Sequence, residues 1–300
     1  MGDIEQLARW RTIGARHSEE VVELAQRVLK SHVGEQEWAI REQLAIAALD
    51  LGQNRLATDQ INILHRKFPA SPRVKILDGL LLEAKGDLIA AQKVYEALLL
   101  VDETNVSAHQ RMIALSLSSP TTTTSVAITN LLTYLDIFYS DPAGWSLLAE
   151  LYCEQGMYPQ ALGALGHLMS VQSWDEGVVR RAGEVAYTLG DYQLALKHLL
   201  RAAEMEGGKA TNPNPTRTRT WWSIKLTVGR LLDPNTPSST HANVETSVPE
   251  EMRSTTRQLQ ALDQLATERI LAAESTKGSG KVTGHLEVVR GVLGEGKVVR

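Results

Sequence analysis

Small and apolar residues recur through the middle of the chain with a period close to 34 residues. Five alanines share this phase, at intervals of 34, 36, 34 and 34 residues: Ala57, Ala91, Ala127, Ala161 and Ala195. Four residues after each alanine lies a larger apolar residue: Ile61, Tyr95, Leu131, Leu165 and Leu199. Five residues before four of the alanines lies a glycine: Gly52, Gly86, Gly156 and Gly190. The fifth glycine is missing near Pro120, where the sequence SSPTTTTS lengthens the turn and accounts for the interval of 36.

This pattern predicts pairs of α-helices. The first helix of a pair carries apolar residues at helical spacing, as in Leu44, Ala45 and Ala48. The glycine ends that helix because the residue after the last turn often needs a positive φ. The alanine in the second helix lets the two axes approach closely. Since one pair cannot bury its own apolar face, neighbouring pairs must stack. We therefore predict an all-α fold, a right-handed α-solenoid of helical hairpins.

The repeat resembles the tetratricopeptide repeat, whose pattern is Trp-x2-Leu-Gly-x2-Tyr, then Ala-x3-Phe, then Pro. The fourth unit departs from it only at the small and aromatic positions and reads Trp145, Leu148, Ala149, Tyr152, Ala161 and Leu165. The first unit begins at Trp38 and has Pro69 where the pattern expects proline. Residues 38–209 are thus predicted to form five repeats, at about 38–71, 72–105, 106–141, 142–175 and 176–209.

The flanking segments carry weaker patterns. Residues 1–37 are expected to form N-terminal capping helices that cover the first repeat. Residues 210–274 are expected to form a C-terminal helical pair at 221–232 and 250–274, joined by a long mobile loop at 233–249 that is rich in Pro, Ser, Thr and Asn. The tail at 275–300 is rich in glycine, and we predict that it is disordered.

Composition and charge argue against several classes of function. The formal net charge is −4 with both signs interspersed, whereas nucleic-acid binders concentrate Lys and Arg on one face. Cys153 is the single cysteine, which excludes an internal disulfide and fits a reducing compartment. The sequence shows no apolar segment of signal-peptide length at its start and no run of 18 apolar residues, so we expect a soluble cytosolic chain.

Candidate chemistry is sparse. The eight histidines never form His-x3-His or His-Glu-x2-His spacing, which argues against a zinc hydrolase. The segment from Gly278 to Gly284 resembles a phosphate loop, but Val282 stands where Ser or Thr must bind magnesium. Cys153 has no indicated base, so packing explains it better than nucleophilic catalysis. The sequence predicts no catalytic residue, no metal site and no cofactor, and hence no enzyme.

Binding is the remaining class of function. Stacked repeats offer a groove lined by their first helices, and the repeat phase places five polar residues there: Glu42, Arg73, Gln110, Glu150 and Arg180. Trp221 and Trp222 are a candidate C-terminal contact, because adjacent positions of a helix point to different sides and one ring could meet a partner. Packing of both rings in the core is the simpler alternative. The groove positions lack the Lys and Asn set with which some repeat proteins clamp a carboxylate.

A closer resemblance covers about residues 20–275. The stretches 80–87, 95–99, 145–152 and 182–190 are similar to the subunit 2 family of the ER membrane protein complex, and Ala-Glu-Leu-Tyr and Glu-Val-Ala-Tyr-Thr are the more specific parts. The resemblance implies a non-catalytic cytosolic scaffold subunit, peripheral to the endoplasmic reticulum membrane through its partners. It implies transmembrane and cytosolic subunits of that complex as partners, and insertion of tail-anchored and multipass proteins as the role of the complex.

Two alternatives remain at this point. One is a soluble tetratricopeptide-repeat adaptor unconnected with the endoplasmic reticulum. The other is a non-catalytic helical-repeat subunit of a heteromeric enzyme, which would require a partner that carries the catalytic metal site.

Overall fold

The described part of the chain is helical throughout. The computed structural model describes residues 2–31, 33–118, 123–207, 215–233, 245–276 and 283–293, and no residue in these ranges belongs to a β-strand. The predicted all-α class is therefore confirmed. The lengthened turn around Pro120 lies outside the described residues.

The chain divides into two compact units, residues 1–137 and 138–300. The first unit contains α1 Asp3–Ile13, α2 Ser18–Val28, α3 Gln36–Asp50, α4 Asn54–Lys67, α5 Pro72–Ala84, α6 Leu88–Val101, α7 Val106–Ser118 and α8 Thr124–Ile137. The second contains α9 Pro142–Glu154, α10 Tyr158–Val171, α11 Glu176–Leu189, α12 Tyr192–Gly207, α13 Pro215–Leu232, a 3₁₀ turn Glu250–Met252, α14 Thr256–Thr276 and α15 Thr283–Leu293. Helices α3 to α12 form five pairs that begin within two residues of the predicted repeat starts.

The periodic glycines end the first helix of their pairs by the expected geometry. All four have positive φ, with values of 69°, 81°, 70° and 95°: Gly52, Gly86, Gly156 and Gly190. A side chain would be strained in this left-handed conformation, so glycine is the favoured residue there. At Gly190 the backbone N–H donates to the carbonyl oxygens of Ala186 and Tyr187, which satisfies carbonyls that the end of α11 would otherwise leave free.

Aspartates and prolines start several of the helices. The carboxylate of Asp141 accepts from the N–H groups of Ala143 and Gly144 at the start of α9, and Asp175 caps α11 in the same way. Pro72 and Pro142 occupy the first turns of α5 and α9, where a missing N–H leaves no bond unmade. Local sequence therefore sets both ends of these helices.

The periodic alanines and their large partners form the interior of the helical pairs. All five alanines are completely buried, and the larger residue four positions later is at most 2% exposed in every pair. Because each alanine has only a methyl group, the paired helices can approach closely there. The periodic positions are thus buried in every pair, as the repeat pattern predicts.

The N-terminal helices pack on the first repeat. Leu7 of α1 and Ala25 of α2 are fully buried in one cluster with Ile40 and Leu44 of α3. Trp10 and Leu24 pack against the edge of the same cluster. These contacts hold α1 and α2 against α3 in the first unit.

The C-terminal segment differs from prediction in its helix bounds. Helix α13 begins at Pro215 and not at residue 221, and α14 begins at Thr256 and not at residue 250. Residues 250–252 form a 3₁₀ turn and Arg253 is extended, which separates them from α14. Met252, which lies in this turn, is 61% exposed.

The predicted loop and tail also need correction. Within the predicted mobile loop, residues 234–244 lie outside the described part. Val248 is buried, however, and the segment around it contacts Asp191, in the turn between α11 and α12, and Gln193 of α12. Within the predicted disordered tail, residues 277–282 and 294–300 lie outside the described part, but 283–293 form α15. Val289 of α15 is buried, and α15 packs against α14. The apolar pattern of α15 is too short to predict this helix from the sequence.

Candidate protein-binding surfaces

The first helices of successive pairs are joined side by side by ion pairs. In the first unit, Arg73 of α5 donates from Nε and Nη2 to the carboxylate of Glu42 on α3, with a shortest distance of 2.8 Å. The Arg73 side chain is 77% exposed and that of Glu42 is 26% exposed. Two predicted groove residues are thus paired with each other on the surface of the first helices.

The next ion pair in this unit is more enclosed. Arg111 of α7 donates through Nε and Nη2 to both oxygens of Glu83 on α5, and the phenol of Tyr95 donates to Glu83 Oε1 at 2.6 Å. Burial, and then the Glu83 carboxylate, raise the pKa of Tyr95 above its usual range. Burial alone would lower the pKa of Arg111, but the bond and charge of Glu83 raise it. This trio holds α5, α6 and α7 together.

The second unit repeats the arrangement. Arg181 of α11 lies 3.1 Å from Glu150 of α9 and donates to the hydroxyl of Ser146 at 3.0 Å. Arg219 of α13 donates from Nε and Nη2 to the two oxygens of Glu184 on α11, at 2.8 and 2.7 Å. A planar, bidentate pair of this kind fixes orientation as well as supplying charge. The first helices therefore present an ordered row of charged side chains.

The remaining predicted groove residues have different environments. Gln110 is exposed on α7. Glu150 is paired with Arg181 of α11. Arg180 is half-buried, and no hydrogen-bond acceptor among the described residues reaches its Nε and Nη1 atoms. Whether any of the five binds a partner stays a prediction.

An open cavity of about 300 Å³ lies between α11 and α13 on this same face. Tyr187, Ser223 and Leu226 contribute to its lining beside the Glu184–Arg219 pair. Leu226 is 56% exposed, although it is apolar and lies on a first-helix position. A space that combines apolar side chains with fixed polar groups is typical of sites that accept a protruding side chain.

Both adjacent tryptophans are partly buried. Trp221 packs against the cluster formed by α12, α13 and α14, which includes Leu196, Ile224 and Leu259. Trp222 is half-buried on the same helix. Trp221 thus packs against the core, and contact of either tryptophan with a partner remains a prediction.

Two exposed aromatic residues were not among the residues predicted from the sequence. Tyr139 and Trp174 lie in the turns that precede α9 and α11, and they are 74% and 79% exposed. The Ser146–Arg181 bond joins these two helices near their N-terminal ends. Tyrosine and tryptophan are enriched among residues that dominate binding energy at protein interfaces. Both residues stand just before the first helix of consecutive repeats, and this recurrence could have identified them in the sequence.

The remaining candidates for chemistry are the Cys153 thiol and the groups that could bind a metal ion. Burial raises the pKa of the Cys153 thiol, while nearby Arg181 opposes the shift. In the described ranges, no group of three His, Cys, Asp or Glu side chains is close enough to hold a metal ion. The same ranges contain no helix that is both long and apolar enough to cross a bilayer.

Comparison with known proteins identifies the family. The EMC2 TPR-like repeat domain matches residues 61–174. ER membrane protein complex subunit 2-A of Xenopus laevis is 33% identical over 207 residues, which cover 67% of this chain and 69% of that protein. The chain belongs to the ER membrane protein complex subunit 2 family. TPR repeat protein oca3 of Schizosaccharomyces pombe is 31% identical over 173 residues, covering 56% of this chain and 61% of that protein.

Solved structures support the repeat fold of this family member. The C-terminal part of a TPR repeat-containing protein from Cytophaga hutchinsonii superposes with a TM-score of 0.56. The alignment covers 95% of this chain and 98% of that one at 13% identity. The likeness at this identity concerns the fold alone, and it agrees with the tetratricopeptide pattern found in the sequence.

Proposed function

We propose that the chain is a non-catalytic scaffold subunit of an ER membrane protein complex. The observation that carries the proposal is its 33% identity to a protein of that name across two thirds of both chains. A tetratricopeptide fold suits the role, because helical repeats expose long surfaces on which other chains can lie. In this proposal the protein organises cytosolic segments of membrane subunits, and so contributes to insertion of tail-anchored and multipass proteins.

The proposed location is the cytosolic face of the endoplasmic reticulum membrane. The protein would be held there through transmembrane and cytosolic partner subunits. Helix α14 offers no strong attraction to anionic lipid, because Asp263 and Glu268 accompany Arg257 and Arg269 along it. Protein contacts would then have to supply the attachment.

The proposed contact surface is the face of the first helices. In the second unit it combines the fixed Glu184–Arg219 pair, the adjoining cavity and the exposed Leu226. Ordered charged pairs supply orientation and specificity, and exposed apolar side chains supply area to bury. A stable protein interface buries about 1,600 Å² in total, so several first helices would have to take part.

Affinity purification of the tagged full chain from detergent-solubilised membranes tests the proposal. We expect the membrane-spanning subunits of the ER membrane protein complex to co-purify, as identified by mass spectrometry. Recovery of the chain without those subunits would refute the scaffold role. Recovery with soluble partners alone would instead support an adaptor unconnected with the endoplasmic reticulum.

Two matched variants test the surface separately from the role. Leu226→Asp changes an exposed apolar residue beside the α11–α13 cavity, whereas Ile89→Asp changes one that is 72% exposed on α6, a second helix. We expect Leu226→Asp to reduce co-purification of partners at least severalfold and Ile89→Asp to leave it unchanged. Equal recovery with both variants would refute the choice of face while leaving the scaffold role intact.

A further inference from the structure

Asp191 is a buried carboxylate that binds two parts of the chain at once. It follows Gly190 at the turn between α11 and α12, and only 3% of its surface is exposed. Its Oδ1 accepts from the N–H of Leu194 at 3.0 Å, which caps α12. The equivalent residue of the second repeat, Asp87, caps α6 in the same way but is exposed. Burial therefore distinguishes Asp191, and a second segment of the chain causes it.

That segment begins at Glu245 and returns the chain toward α14. The Thr246 hydroxyl donates to Asp191 Oδ1 at 2.7 Å. Ser247 donates to Oδ2 from its backbone N–H at 3.0 Å and from its hydroxyl at 3.1 Å. Val248 next to them is buried, and Ser254 N–H donates to Gln193 at 3.2 Å. Residues 245–254 are thus attached to α12 mainly through one carboxylate.

Ser247 combines this attachment with exposure and an acidic flank. The residue is exposed, although its hydroxyl is bonded to Asp191. Glu250 and Glu251, both exposed, follow three and four positions later. Acidophilic serine kinases select carboxylates at these positions because basic side chains line their peptide-binding site. The chemistry around Ser247 is therefore that of a kinase substrate.

We propose that Ser247 is a phosphorylation site for an acidophilic serine kinase, and that its phosphoryl group releases residues 245–254 from the α11–α12 turn. In the reaction the Ser247 oxygen forms a bond to the γ-phosphorus of ATP. The bond from that phosphorus to the β,γ-bridging oxygen breaks, ADP leaves, and the hydroxyl proton passes to the kinase. The Ser247 hydroxyl can no longer donate a hydrogen bond after this transfer.

Repulsion between the phosphoryl group and Asp191 would release residues 245–254. A phosphoserine carries a charge of about −1.5 to −2, and here it would lie beside a carboxylate that is shielded from water. Arg253 cannot anchor the phosphate to α12, because it belongs to the same segment and donates to the Val248 carbonyl at 3.1 Å. Residues 251–254 also form one wall of an open groove of about 660 Å³ between α12 and α14. Release would therefore change the shape of this groove.

Treatment of the purified full chain with an acidophilic kinase of the casein-kinase-2 type and ATP tests the site. We expect one phosphate on Ser247 by peptide mass spectrometry and none at that position in Ser247→Ala. Ser173 is an internal comparison, since it is exposed and Glu176 follows it by three positions. No phosphate on the chain, or phosphate on Ser173 alone, would overturn the assignment of Ser247.

Hydrogen exchange of the same samples tests the release. We expect the amides of Ser247, Val248 and Ser254 to exchange at least tenfold faster after phosphorylation, with little change in α9 and α10. In Asp191→Asn the acceleration caused by phosphate should be smaller, because the opposing charge is gone. Comparison with and without phosphate inside each variant removes the effect of the weakened α12 cap. Unchanged or slower exchange in the phosphorylated wild-type chain would overturn the release.

Discussion

Gly79→Ala should destabilise the first unit, although the same change in most helices is favourable. Gly79 lies inside α5, and a β-carbon added there would overlap Cε1 and Cζ of the Tyr95 ring. Tyr95 is completely buried, and its hydroxyl is bonded to the Glu83 carboxylate that pairs with Arg111. The ring therefore cannot move away without breaking the contacts that join α5, α6 and α7.

The expected loss of stability combines two destabilising effects and one stabilising effect. Overpacking a tight core costs about 1–3 kcal/mol. Loss of the hydrogen bond from Tyr95 to the charged Glu83 would add about 1.5–3 kcal/mol if the ring is displaced. Alanine is more favourable than glycine inside a helix by about 1 kcal/mol, which offsets part of the loss. We expect a net decrease of about 2 kcal/mol or more in the free energy of unfolding.

Urea denaturation followed by circular dichroism measures this change, and two further variants make the test specific. Gly163→Ala is the matched control, because Gly163 lies inside α10 with no atom within 4 Å of the added β-carbon. It should stabilise the chain by about 0.5–1 kcal/mol. In a Tyr95→Leu background, Gly79→Ala should cost much less, since the aromatic ring is absent. Equal losses in both backgrounds, or a stable Gly79→Ala protein, would refute the reasoning.

Three other measurements test the repeat packing, the pH response and the membrane contact. Ala161→Trp and Ala195→Trp should each lower the melting temperature strongly, because both alanines are fully buried where two helices meet; small shifts in both would show a wrong repeat phase. Burial lowers the pKa of His198 from 6.5 in spite of nearby Asp191, so the unfolded chain binds the proton more readily. The free energy of unfolding should therefore decrease as the pH falls below about 6.5, and it should decrease less in His198→Gln. Urea denaturation midpoints at several pH values measure this difference. Finally, the purified chain should fail to float with protein-free anionic liposomes, and tight binding to them would contradict attachment through partner subunits.

Local sequence determined the repeat architecture. A glycine that adopts positive φ and an alanine that admits a neighbouring helix act over short distances along the chain. Because each repeat presents the same requirement, the positions recur at a fixed interval and can be found without a structure. Gly190 and Ala195, for example, mark the end of α11 and the close approach of α12 by themselves.

The sequence predicted only some of the residues on the surface of the first helices. The repeat phase identified Glu42 and Arg73, which the structure brings together, but it did not single out Arg181, which pairs with Glu150 of α9. Neighbouring positions on a helix point about 100° apart, so Arg180 and Arg181 project in different directions from α11. The register between adjacent first helices is set by how their cores pack, and periodicity does not fix it to one residue.

Only the tertiary structure decided the C-terminal contacts. The bonds from Thr246 and Ser247 to Asp191 join residues that are 55 and 56 positions apart. No repeat relates these positions, and a segment rich in Ser and Thr has no apolar pattern of its own. In the sequence alone, Asp191 is indistinguishable from an ordinary helix cap such as Asp87. Its burial could not be predicted, because it depends on a distant segment that returns to cover it.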